Sequence, residues 1–256
     1  MLKLIKYEFR RSRTSLLVML AVALMLYLAA PLGALLDREG LMGVSLFALM
    51  FYCFAAYVCV LIRGVTAYSG ELSTRSGYLM LMVPRSTLSI VLSKLLFTLC
   101  FAIVMLAVCI FACMGSAMIF MDEVFDVRGL VPMLKYVALN MEIDLSALGF
   151  FCLYAVVSAL ISVISIVSMG YLAATLSAAI AARSKGAKLL SAALFIVLLI
   201  LVGKVSTMAA PEAFVQEFTS MRIALSAAIP TLLVNLGFTA LFTGLSALIL
   251  KKRVCL

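Results

Sequence analysis

The sequence predicts an all-α membrane protein of six transmembrane helices with both termini in the cytoplasm, and three observations carry that expectation. Apolar residues make up 66% of the 256 residues and charged ones only 12%, with a mean hydropathy of +1.27. That balance lies far outside the range of a water-soluble domain. The uncharged stretches are long enough to cross a hydrocarbon core of about 30 Å, which needs roughly 20 apolar residues per helix. Finally, the basic residues fall on alternate connections, as membrane insertion demands.

The spans are expected at about 14–36, 41–66, 87–121, 151–182, 189–208 and 230–250, within a single transmembrane domain covering residues 1–256. The first two form a hairpin whose tip holds Asp37, Arg38 and Glu39. The third exceeds what a perpendicular crossing requires, so it tilts or projects beyond the lipid. Leu145 to Ala182 is uncharged throughout and would rise about 57 Å as one helix, too long for one crossing and too short for two with a loop. Its later part, Phe151 to Ala182, reads as the fourth span, with a candidate bend near Ser165, Ser168 and Gly170. Pro230 suits the first turn of the sixth span, where its missing N–H costs nothing. Before it, 211–229 opens with Pro211 and Glu212 and reads as a short external or re-entrant helix, or as an amphipathic linker.

The charge distribution tests this arrangement independently of hydropathy. With both ends inside, the cytoplasmic segments hold Lys3, Lys6, Arg10, Arg11, Arg13, Arg63, Arg75, Arg85, Lys94, Arg183, Lys185, Lys188, Lys251, Lys252 and Arg253, out of 20 basic residues in all. Only Glu8 and Glu71 among the 11 acidic residues fall on that side. An odd number of spans would destroy the segregation. The net charge of +9 is thus accounted for by topology and anionic lipid, with no nucleic-acid partner required.

Residues 1–13 read as an uncleaved, basic amphipathic helix lying in the cytoplasmic interface. Leu2, Ile5 and Phe9 form an apolar stripe flanked by Lys3, Lys6, Arg10 and Arg13. The apolar run that follows is too long for a signal-peptide core. The stretch from Ser69 to Lys94 interrupts the spans with Glu71, Arg75, two glycines and a stop at Pro84, the pattern of a short surface helix that meets another protein.

Catalytic signals are sparse. The chain has no histidine, no phosphate-binding Gly-x-x-x-x-Gly-Lys-[Ser/Thr] loop and no Gly-x-Ser-x-Gly elbow, so neither an ATPase nor an intramembrane hydrolase is expected of it. The seven cysteines lie mostly in apolar runs, where thiols act as small hydrophobes, and no metal site is expected. Carboxylates are expected only in loops, which leaves no titratable group at midplane for ion coupling. Energy for any transport would then enter from another subunit. Ser158, Ser162 and Ser165 share a helix face with Ala155, and Gly170, Ala174, Ala178 and Ala182 recur at fours. Close helix packing explains these patterns, while Ser158, Ser162, Ser165 and Asn235 also stand as candidate pathway-lining residues.

The basic amphipathic start, the six spans and the loop reading Glu71, Gly77, Leu79, Pro84, Arg85 and Ser86, followed by Ser93-Lys94, resemble the permease subunit of an ABC-2 type ABC transporter. The resemblance spans the whole length. It implies a coupling helix at about 72–83 that docks on a separately encoded ATPase subunit. Tyr78, Leu79 and Met82 would give apolar contacts, Glu71 and Arg75 charged ones, and Gly77 close approach, with Leu72, Pro84 and Arg85 completing the interface. It further implies a homodimer or a heterodimer with a second permease, ATP and magnesium bound only in the partner, no cofactor in this chain, and a multi-pass exporter in a bacterial plasma membrane. The competing expectation is an accessory or assembly membrane protein that recruits a cytoplasmic partner through the same loop without moving a substrate.

Overall fold

The structure, a computed structural model, describes residues 2–36, 39–73, 87–125, 129, 132, 134–136, 139, 145–180, 187–209 and 221–254. Six long helices account for nearly all of them: α1 (Leu2–Leu35), α2 (Glu39–Ser73), α3 (Thr87–Phe125), α4 (Leu145–Ile180), α5 (Ala187–Ala209) and α6 (Met221–Val254). Each contains a segment long and apolar enough to cross a membrane: Lys6–Leu35, Gly40–Leu72, Thr87–Asp122, Cys152–Ile180, Leu189–Met208 and Ile229–Lys252. The chain is a multi-pass, all-helical membrane protein. Helix is the expected form, because a backbone surrounded by lipid must satisfy its own hydrogen bonds.

Several boundaries differ from those the sequence suggests. The basic residues 2–13 are the opening turns of α1 itself, continuous with the first span. No glycine or proline in residues 2–14 interrupts the helix. At the fourth span the helix takes up residues from Leu145 onward and ends at Ile180, with no interruption at Ser165, Ser168 or Gly170. The apolar span starts at Ile229, close to the expected 230, but the helix that carries it begins earlier, at Met221, so Pro230 lies inside α6 rather than in its first turn. A proline there removes one backbone bond, which a helix within a bundle tolerates. Pro31 does the same near the end of α1. Residues 210–220, and with them the start of the 211–229 segment, lie outside the described residues.

Two compact units emerge from the packing, the first formed by Met1–Glu8, Val60–Cys100 and Val157–Leu256 and the second by Phe9–Cys59 and Phe101–Val156. In the first unit Met169 and Leu172 of α4, Val202 of α5 and Phe242 of α6 form a buried cluster. Phe195, Leu198 and Phe238 pack against it, and Phe238 stacks on Phe242 with ring centroids 5.6 Å apart. Thr87, the first residue of α3, donates its hydroxyl to the carbonyl of Ala247 on α6 at 3.3 Å. In the second unit Tyr52 of α2 donates its hydroxyl to the carbonyl of Met19 on α1 at 2.6 Å, and Gly115 of α3 lies against the ring of Tyr27.

Lipid tails are as apolar as leucine, so burying apolar area cannot by itself drive these helices together. Small residues supply close approach instead. A Cβ placed on Gly170 of α4 would sit 2.5 Å from Val65 Cγ2 of α2, and one on Gly64 would sit 2.7 Å from Thr98 Cγ2 of α3. The larger side chains point outward: Met25, Phe51, Phe54 and Phe111 are all exposed on the isolated chain, where acyl chains would cover them. Gly170→Ala gains helix propensity but must push back the stiff, branched side chain of Val65. We expect Gly170→Ala to lose about 1–3 kcal/mol of stability, with the double variant Gly170→Ala/Val65→Ala recovering most of it, measured by thermal unfolding in detergent.

Candidate functional site

The residues on either side of segment 74–86 build a buried ionic node within the first unit. On α3, Ile90, Lys94, Phe97 and Phe101 follow one another at spacings of four, three and four, which places them on a single helix face. All four are buried, the lysine among them with only 2% of its surface exposed. An ammonium in such surroundings is stable only when opposite charge and acceptors surround it. Three acceptors do so. Lys94 Nζ lies 2.7 Å from Glu71 Oε1 and 2.9 Å from Glu8 Oε1, and it donates to the carbonyl of Ala67 at 3.2 Å.

The sequence positions each partner simply. Glu71 and Ala67 are one helical turn apart in the last turns of α2, so both face the same point. Glu8 lies in the first turns of α1 and is buried, whereas its neighbours Tyr7 and Arg10 are exposed. Both carboxylates meet the same Nζ, so their Oε1 atoms are no further apart than the two bonds combined. The node has one more carboxylate than ammonium, and it unites α1, α2 and α3 at one atom.

Polar and aromatic groups surround it. Thr98, one turn beyond Lys94, returns its hydroxyl to the Lys94 carbonyl at 2.9 Å while its methyl abuts Gly64. Tyr68 of α2, three residues before Glu71, stacks on Tyr171 of α4 with centroids 4.3 Å apart. Both tyrosines are fully buried, and neither hydroxyl makes a protein hydrogen bond. Thus α4 joins the node through a ring contact, directly beside the Gly170 approach to Val65.

The structure revises the expected site in several respects. Glu71, anticipated as a contact to another protein, is paired within the chain and its side chain is only 17% exposed. Carboxylates are not confined to loops: Glu8 and Glu71 lie within helices, as does Asp122 on α3. Helix α2 includes Leu72, which is half-buried, and ends at Ser73. Arg75, Gly77, Tyr78, Leu79, Met82, Pro84 and Arg85 lie outside the described residues, as does most of the expected 72–83 helix. Among the candidate pathway residues, Ser162 donates to the carbonyl of Ala159 on its own helix. Ser165 is buried without a hydrogen-bond partner, Ser158 is half-buried, and the carbonyl of Asn235 accepts from Thr239. Among the described residues, no group of three cysteines or carboxylates is placed to hold a metal ion.

Sequence reasoning missed Glu8 and Lys94 as a pair, although signals for both were present. Lys94 occupies a core position in the apolar pattern of α3, and Glu8 is a lone acid among five basic residues. Comparisons with protein-family models, with curated proteins and with solved structures find no match.

Replacing Lys94 strands two neighbouring carboxylates in a low-dielectric site. We expect Lys94→Met to cost about 3–5 kcal/mol. The triple variant Glu8→Gln/Glu71→Gln/Lys94→Met should regain much of that loss, because no buried charge is then left unpaired. Thermal unfolding of the three proteins in the same detergent measures both effects.

Proposed function

We propose that this chain is the membrane-spanning permease subunit of an ABC-2 type exporter, which couples ATP hydrolysis by a separate ATPase subunit to movement of a substrate across the membrane. The observation that carries the reading is the ionic node. It fastens the helix end entering the 74–86 loop to the helix that leaves it, and both to the start of α1. A push on that loop would reach three helices together, because a packed and ion-paired junction moves as a body.

In this reading, the loop is the cytoplasmic docking element and Tyr78, Leu79 and Met82 make its apolar contacts. Glu71 acts from inside the chain, setting the direction of the helix end rather than touching the partner. The basic residues clustered at 1–13, 183–188 and 251–253 face the cytoplasm and its anionic lipid. ATP and magnesium belong to the partner, and the permease works as a dimer in a bacterial plasma membrane. Spans this apolar suit a small apolar or amphipathic cargo.

Coexpression with an ATPase encoded beside the gene tests the reading. The two proteins should copurify, and ATP hydrolysis in proteoliposomes should rise when the permease is present. Tyr78→Ala should weaken copurification at least tenfold while the amount inserted stays unchanged. Copurification without any flux that depends on the ATPase's Walker lysine would instead identify an accessory protein, and failure to copurify would overturn the proposal.

A further inference from the structure

The second unit contains a cluster of thiols that the proposed function does not use. Cys53 of α2 has its Sγ 3.6 Å from Cys113 Sγ on α3. That is van der Waals contact, about 1.5 Å longer than a disulfide bond. Cys109 lies one turn before Cys113 on the same face of α3. All three are reduced and half-buried. They sit within the apolar spans of α2 and α3.

We propose that Cys53 and Cys113 are a redox modification site, joined by a reversible disulfide between α2 and α3 when a membrane-dissolved quinone oxidises them. The surroundings select the oxidant. Thiolates are disfavoured in an apolar setting, which makes these thiols poor partners for aqueous disulfides such as oxidised glutathione. A quinone avoids that obstacle because it enters the bilayer and accepts hydrogen atoms as well as electrons. Both S–H bonds break, one S–S bond forms, and the two protons and two electrons leave together on the quinone as quinol. Nothing charged remains in the membrane.

The bond would fix α2 to α3, the helices on either side of segment 74–86 in the chain, a restraint that holds whether or not the chain is a permease. The full-length protein in nanodiscs of phosphatidylethanolamine and phosphatidylglycerol tests the inference with decylubiquinone as the probe. Thiols are counted after denaturation by maleimide labelling, and the linked peptides are identified by mass spectrometry. Wild type should lose two thiols within one chain, recover them on reduction, and react at least tenfold faster than Cys53→Ser. Cys100→Ser, which leaves the cluster intact, should react as wild type does. Overturning results would be no thiol loss with decylubiquinone, loss unchanged in Cys53→Ser, or links formed only between chains. Iodine serves as a geometric control: a Cys53 to Cys113 link with iodine but none with decylubiquinone would also overturn the proposal, since it would leave the pair in place and remove the quinone.

Discussion

A lysine ammonium in the interior of a helix bundle is the constraint around which the first unit is organised. Lys94 cannot be buried without compensation, and each compensating group comes from a different place in the chain: Glu8 from the first turns of α1, and Glu71 with the Ala67 carbonyl from the last turns of α2. Apolar packing is non-directional and would allow these helices to slide by a residue. An ion pair at 2.7 to 2.9 Å does not, because a shift of one residue moves a helical carboxylate about 100° around its axis. The node sets register where hydrophobicity alone cannot.

The same reasoning extends outward. Once register is set, Gly64 can meet Thr98 and Gly170 can meet Val65, contacts that bring backbones close only if the small residues are opposite one another. The Tyr68 and Tyr171 rings then fill the space beside them. In water the hydrophobic effect would forgive a poor fit, but in lipid the gain comes from dispersion and polar contacts that depend steeply on distance. Several serines and threonines bond back to their own helices, as Ser168 does to the Ser165 carbonyl and Thr175 to the Leu172 carbonyl, which satisfies those hydroxyls within one helix, whereas Ser116 and Ser165 are buried without a partner.

How much of this could be read from residues alone follows from the physics. The six spans were legible because each is a local property: a run of about 20 apolar residues announces itself without knowledge of its neighbours. Boundaries were less so. Pro230 looked like a helix start because proline is costly in an isolated helix interior, yet α6 passes through it within a bundle. The node was the least legible part, since Glu8 and Lys94 are 86 residues apart and only the folded chain shows them touching. Counting Lys94 among the cytoplasmic charges hid the fact that the residue occupies a core position of α3. Glu71 stood out in the sequence as an acid beside an apolar run, but its pairing with Lys94, 23 residues later, is visible only in the folded chain.

The helices are very unequal in length, and this has a bearing on the membrane itself. The apolar segment of α3 has 36 residues, that of α2 has 33, and that of α5 only 20. Long segments can absorb a change in bilayer thickness by tilting or by extending beyond the acyl chains, whereas 20 residues rise about 30 Å and match the hydrocarbon core with nothing to spare. Thickness mismatch therefore falls first on α5, and α5 is fastened to the rest through Val202, Phe195 and Leu198 against α4 and α6. A change in acyl-chain length would bear on that aromatic and aliphatic cluster, which makes the shortest helix the part of the molecule most directly answerable to the composition of its membrane.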